Sequence, residues 1–321
     1  MKKIICFLFS FILINFVVSS ILCVLVIYSG GFSYLRTFIV GTIATSRHPQ
    51  IIEYFLSSQE IKEILNSSER FVQIEPVIRR KQNIYNDTYN NITIENIEGK
   101  TFKGNVMQVG NPLNIRLAVT KDIGTSGQRL IDLVEENGAI AGINAGGFYD
   151  PNAQGNGAFP DGITIQNGKI VYSNVEDSLT SLIAFDENGR LILKCFDSNK
   201  IDLDNIRDAV TFYPYLIVDG KPLIEGDGGW GLAPRTGIGQ KADGTVVFVV
   251  IDGRQPGWSM GATLRDLMNV FLEYGVTNAA NLDGGSSTEM VYQGQIVNNL
   301  WSIFGERYIP TAFIVLPEQL D

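Results

Sequence analysis

Histidine is almost absent: His48 is the single one among 321 residues. That removes the base from a Ser-His-Asp triad and the commonest ligand from a zinc centre. Cysteine is nearly as scarce. Of three, Cys6 and Cys23 fall in an apolar run and Cys195 stands by itself, so no intrachain disulfide can staple the remainder and core packing must hold it. Neither a G-x-x-x-x-G-K-[ST] cradle nor a strand-to-helix G-x-G-x-x-G is present, which removes the usual nucleotide sites. Basic residues are short as well. Setting aside Lys2 and Lys3 leaves 23 Lys and Arg against 34 Asp and Glu, a net of −11. Nucleic acid held by bulk charge does not fit, and any phosphate would need local arginines.

Charge is missing altogether between Lys3 and Arg36, and residues 4–27 are long enough and apolar enough to cross a bilayer. The stretch is too long for a signal-peptide core and lacks a clear small-x-small site, so it reads as an uncleaved signal-anchor over residues 1–30. Leu22 precedes Cys23 where a lipidated cysteine would follow a small residue. Lys2 and Lys3 place the start in the cytoplasm and everything beyond it outside.

Residues 31–99 are expected to form juxtamembrane helices, with Ser57 and Glu60 as a capping box, and then an Asn-rich, loop-like connector. From about residue 100 to 321 short strand-like runs alternate with glycine: 105–109, 115–119, 162–165, 182–185 and 191–194. Two helices interrupt them. The first carries Leu130, Leu133 and Val134 on one face, with Ser126 as its expected N-cap and Gly138 just past its end. The second starts near Thr263, aligns Leu264, Leu267, Met268, Phe271 and Leu272, and stops at Gly275. The fold class expected is α+β, a mixed β-sheet core with packed helices behind one N-terminal transmembrane helix.

Residues 245–252 are a β-branched run typical of a strand buried on both faces, ending in Asp252-Gly253-Arg254. If it joins the helix from Thr263 and the strand ending at Asp283 in one β-α-β unit, Asp252 and Asp283 share a sheet edge beside one cleft. Asp-Gly is also an ordinary turn. Gly284 and Gly285 let a ligand approach the backbone, and Ser286 and Ser287 offer hydroxyls and amides, a possible small anion nest or simply a glycine-rich connector. Arg235, Arg254 and Arg307 each stand beside Gly or Pro rather than in a charge run, where a guanidinium can grip phosphate bidentately. Trp230 and Trp258, in Gly-rich loops, can present rings to a sugar or anchor the core.

Five ordered segments, 142–149 (GINAGGFY), 160–162 (PDG), 234–239 (PRTGIG), 251–254 (IDGR) and 281–287 (NLDGGSS), resemble the phosphodiester glycosidase family, which includes bacterial membrane-anchored, exopolysaccharide-related members. The resemblance runs over about residues 104–316, with Gly237 standing where alanine is expected. It implies an α+β fold and hydrolysis of the bond between a sugar's anomeric carbon and a phosphate oxygen, with neither cofactor nor metal. Phosphate is a weakly basic leaving group, so a carboxylate to stabilise the cationic carbon or activate water, and cations on the phosphate, suffice. Asp283 and Asp252 are the candidate catalytic residues. Asn144, Gly146, Gly147, Asp161, Trp230, Arg235, Arg254, Gly284, Gly285, Ser286, Ser287 and Arg307 are the candidate substrate-binding ones. The partners implied are a phosphate-linked glycan and, through the first helix, the bilayer. A non-catalytic envelope glycan-binding module, or a metal-dependent phosphodiesterase using Asp161, Asp252 and Asp283 as oxygen ligands, remain open.

Overall fold

The structure, a computed structural model, describes residues 2–28, 33–44, 50–66, 77–149, 156–175, 179–197, 205–302 and 305–319. His48 lies outside them.

The central layer is an eight-stranded sheet. It runs from the strands Arg80–Asp87, Ile92–Glu98 and Lys103–Val109 through Val246–Ile251, Arg235–Lys241 and Val276–Leu282 to Tyr215–Val218 and Lys221–Pro222. Alternation along each strand divides its residues between two cores. Ile92, Ile94, Met107, Val109, Ile238, Phe248, Val250 and Leu282 face one way, into a core shared with Ile143, Phe185 and Phe313 of two five-stranded sheets. Val106, Val247, Val249, Ile251 and Ala279 face the other, onto the helix Leu264–Glu273. Residues 246–251 are buried on both faces, as their composition demands.

That helix is capped as expected: Thr263 and Asp266 exchange side-chain and backbone bonds in a capping box, and Gly275 takes φ +73 after its end. Gly237 lacks a Cβ for a local reason, because one there would stand 2.9 Å from the Phe271 ring. The other helix, Leu130–Glu136, buries Leu130, Leu133 and Val134, but its N-cap is Arg129 rather than Ser126, and no side chain caps it. Arg129 instead turns onto Asp132.

Two expectations change. Part of the expected connector is sheet: Arg80–Asp87 and Ile92–Glu98 form an antiparallel hairpin whose turn uses Asp87 to accept from Asn90 N (3.0 Å) and Asn91 at φ +51. The asparagines that resemble a loop lie on an exposed edge strand and in this turn. The uncharged run is the helix Lys2–Tyr28, 27 residues long. Taken over the described residues, however, no helix is long and apolar enough to cross a membrane, so the span stands on sequence alone. Ser33–Ala44, Gln50–Glu53 and Ser58–Asn66 follow it, and Ser57 and Glu60 form the expected capping box. Ile27, Val40, Ile52, Leu56 and Ile64 pack these helices together. Gly41 lies on the globular body: a Cβ there would stand 2.6 Å from the Gly229 carbonyl oxygen.

Candidate functional site

Val246–Ile251 and Val276–Leu282 both run antiparallel to Arg235–Lys241, which lies between them, so they are parallel to one another and end at one sheet edge. The expected crossover is therefore present with a third strand inserted. Two strand spacings, roughly 10 Å, separate Asp252 from Asp283.

The inserted strand starts between them, at Arg235, and alternation decides where its side chains go. Thr236 points into the inter-sheet core and donates to Asn144 Oδ1 at 2.8 Å. Arg235 points the other way. Its guanidinium, 3% exposed, donates to the carbonyls of Ala262 (3.1 Å), Trp230 (3.2 Å) and Gly231 (2.9 Å). Burial, and then the charge of Arg254, lower its pKa. Arg235 thus clamps the loop that carries Trp230, and its forked geometry is spent on protein carbonyls.

Asp283 follows Leu282 out of the sheet and is locked by its own backbone. Its N–H donates to Ala145 O (3.1 Å), and its carbonyl accepts from Asn144 Nδ2 (2.6 Å). Asn144 also accepts from Glu289 N (3.1 Å), so one side chain ties together the Gly-Gly loops after two strands of different sheets. Desolvation pushes the Asp283 carboxyl up to about 6, against hydrogen bonds from Ser287 and Gly284 and the charge of Arg307. The neighbouring carboxylate that raises it further is Asp161, at the Gly147 turn, where Asp161 N donates to Gly147 O at 2.8 Å.

Asp161 is thus the carboxylate whose charge bears on Asp283, while Asp252 stands two strands away. Asp252 is 3% exposed and accepts from Trp258 Nε1 (2.8 Å), Asn299 N (3.0 Å) and Asn298 Nδ2 (3.3 Å). Burial raises its pKa despite those bonds. Among the described residues no three acidic, histidine or cysteine side chains gather as a metal site, so Asp161, Asp252 and Asp283 do not converge as one ligand set.

Two of the three arginines do converge, on the 284–287 loop. A Cβ on Gly285 would stand 3.4 Å from Arg254 Nη1, and Arg307 Nη1 donates to Ser286 Oγ at 2.8 Å. Arg254 is held at φ +57 with its guanidinium 5.0 Å from the Trp301 ring, and Arg307 lies 4.8 Å from the Phe148 ring. A non-glycine residue in the left-handed region costs free energy that its surroundings must offset. The amide nest is largely spent internally, since Gly285 N donates to Pro234 O and Ser287 N to Gly284 O. The glycines act through shape instead: Gly284 passes where a Cβ would stand 2.7 Å from Pro234 O, and Gly285 takes φ +64.

Gly146 and Gly147 work likewise. Gly146 N donates to Thr311 Oγ1, and Gly147 lies against the Phe212 ring, 2.9 Å from where its Cβ would be. From there Phe212 stacks on Tyr213 at 5.8 Å, and Tyr213 meets Trp230 edge-on at 5.3 Å. Tyr213 is 58% exposed and continues the surface that the sequence suggested for Trp230 alone. Sequence reasoning missed it because Phe212-Tyr213-Pro214 reads as an ordinary strand end. It also missed Glu289, buried beside Glu306, although a lone acid just before the apolar run Met290–Tyr292 was a visible signal.

These features define a mixed, sheet-rich α+β protein in which carboxylates and guanidiniums meet at the sheet edge. A family model for phosphodiester glycosidase matches residues 137–316, and the chain belongs to that family. It is 27% identical over 207 residues to the SPbeta prophage-derived uncharacterized protein YomE of Bacillus subtilis (strain 168), covering 60% of this chain and 30% of that protein. The chain therefore spans about a third of that relative's length.

Among solved structures, the catalytic domain of zebrafish N-acetylglucosamine-1-phosphodiester alpha-N-acetylglucosaminidase, auto-inhibited by its pro-peptide, matches with a TM-score of 0.56 at 17% identity. The match covers 74% of this chain and 88% of that one. A hypothetical protein from Synechocystis matches at 0.52 with 15% identity, over 71% of this chain and 62% of that one. At such identities the likeness concerns the fold.

Proposed function

We propose that the protein is a hydrolase that splits the bond between a sugar's anomeric carbon and a phosphate oxygen in a phosphate-linked glycan of the cell envelope or an exopolysaccharide. The observation that carries this reading is the convergence of Arg254 and Arg307 on the loop that begins at Asp283. The guanidiniums take the phosphate, whose charge grows as the bond breaks. The Asp283 carboxylate accepts the proton of the attacking water, whose oxygen bonds to the anomeric carbon as the electron pair of the old bond leaves with the phosphate. The products are a free sugar and a phosphomonoester. Tyr213 and Trp230 give the sugar an aromatic wall, and Asp161 stands across from Asp283 to accept from its hydroxyls.

An anchored, outward-facing arrangement belongs to the same proposal. The helix Lys2–Tyr28 has no charge after Lys3 and exposes Phe11, Ile14, Val17, Val18, Leu22 and Leu25.

The zebrafish protein's name makes N-acetylglucosamine-1-phosphodiester the first substrate to try. Hydrolysis in ¹⁸O-water tests the bond broken. Label in the sugar supports the proposal, whereas label in the phosphate means P–O cleavage, the phosphodiesterase reading. No turnover across a panel of sugar-1-phosphodiesters leaves the glycan-binding module.

A further inference from the structure

One face of the eight-stranded sheet changes character along its length. Ile92 and Ile94 point into the main core, and two and four residues further on the same face carries Asn96 and Glu98. On the neighbouring strand Met107 and Val109 give way to Asn105 and Lys103, and on the edge strand Ile84 gives way to Gln82 and Arg80. Register aligns these into two rows: Gln82 beside Asn96 beside Asn105, and Arg80 beside Glu98 beside Lys103. A sheet face needs apolar side chains only where something covers it. Here the polar rows floor a cavity of about 430 Å³, walled by Trp258, Val297, Asn298, Asn299 and Asp252. Cavities of this size hold small ligands.

Side-chain amides line the floor: Asn105, 4% exposed, donates through Nδ2 to Asn96 Oδ1 at 2.6 Å, and Asn96 and Gln82 present exposed amides beside it. The charges balance, Arg80 and Lys103 against Glu98 and Asp252. Trp258 is 46% exposed and is held in place by its bond to Asp252 and by Lys103 Nζ, 4.1 Å from its ring centroid. Mixed amide donors and acceptors, no net charge and an indole suit a neutral, hydroxyl-rich ring better than a phosphate or an apolar molecule. The chain links the cavity to the Asp283 loop: Asp252 lies in the cavity wall, and Arg254, two residues on, reaches Gly285.

We infer that this cavity is a saccharide subsite, separate from the Asp283 cleft, that holds a neutral sugar of the glycan on the far side of the phosphate. The link between cavity and cleft rests on the proposed function; saccharide binding by the cavity does not. A phosphate seated on Arg254 brings the next sugar of its chain to the Trp258 wall, so the enzyme selects phosphodiesters within oligosaccharides over those of simple alcohols.

Two measurements test this. Calorimetric titration with neutral tetrasaccharides (cello-, malto- and chitotetraose) should detect binding of at least one, by wild type and by Asp283→Asn alike. Trp258→Ala and Asn96→Leu should each weaken it about tenfold, the loss of roughly 1.4 kcal/mol. Asn96 is exposed, so its replacement leaves the core intact. In the second, a sugar-1-phosphate methyl diester is compared with the same sugar-1-phosphate joined to a trisaccharide. Wild type should show the lower KM for the longer substrate, and both variants should erase that advantage. Absence of tetrasaccharide binding, or binding and KM advantage that persist in both variants, would overturn the inference. The titration needs no turnover, so it decides the subsite even if the protein hydrolyses nothing, and turnover of the methyl diester without saccharide binding sinks the subsite while leaving the proposed reaction standing.

Discussion

Replacing Asp283 by asparagine should make the protein more stable and inactive at once. The carboxyl titrates near 6 in the folded protein against an ordinary 3.8, because burial outweighs its bonds from Ser287 and Gly284 and its attraction to Arg307. A shift of about two units at 1.36 kcal/mol each means that ionising Asp283 costs the fold about 3 kcal/mol at pH 7. The side chain is partly open to the cleft, so a gain of about 1–3 kcal/mol is expected for Asp283→Asn, which keeps the volume and removes the charge. The sign fixes the pH window. Below about pH 4 Asp283 is protonated in both folded and unfolded chains, and the variant has no advantage. Between about 4 and 6 the wild type loses stability relative to the variant, and above that the difference is constant. Urea titrations of both proteins at pH 4, 5, 6 and 7 measure it, and wild-type kcat should rise through about pH 6 as the base ionises. A variant that melts below wild type at pH 7, or that turns over at a near-normal rate while folded, would refute the reasoning and move the base to Asp161.

Arg235→Lys should lower stability by about 2–3 kcal/mol, because a lysine cannot satisfy the carbonyls of Trp230, Gly231 and Ala262 together. Activity of the protein that stays folded should fall alike on phosphate-bearing and other substrates; a selective loss on phosphodiesters would return Arg235 to the phosphate site. Glu289 is buried against Glu306, and burial first, then that second carboxylate, hold it protonated well above the usual range. Wild-type stability should therefore decline as pH rises from the ordinary glutamate range, and Glu289→Gln should flatten the decline in thermal melts; parallel profiles would discount the pair. Cys195 is the one exposed free thiol among the described residues, so a reductant should leave melting temperature and activity of the globular part unchanged, and a clear drop on reduction would contradict this.

Much of this architecture is written in local pattern. The β-branched run 245–252, the Thr263 cap and the two glycines Gly138 and Gly275 at positive φ all have one sequence reading, and the structure follows it. The bond between Asn144 and Asp283 was not expected, because it joins the ends of strands in two different sheets. Less legible was anything set by strand order. That Arg235–Lys241 inserts between the strands ending at Ile251 and Leu282 depends on long-range pairing, and that insertion sets Asp252 two strands from Asp283. Side-chain direction was hidden for the same reason. Arg235 and Thr236 are adjacent in the chain, and only the sheet's placement between a helix and a second sheet says which enters the inter-sheet core and which clamps the Trp230 loop.

The contact at Gly41 bears on how far the protein reaches. Its Cα lies against the Gly229 backbone with no room for a side chain, so the helix that follows the apolar segment is seated on the loop that carries Trp230. A flexible leash of the same length would let a domain wander through a volume that grows with the linker. A rigid seat confines it to a thin shell. If residues 2–28 sit in a bilayer, the Trp230 wall stays within one helix's thickness of that seat, and only glycan strands that pass close to the membrane surface come within range.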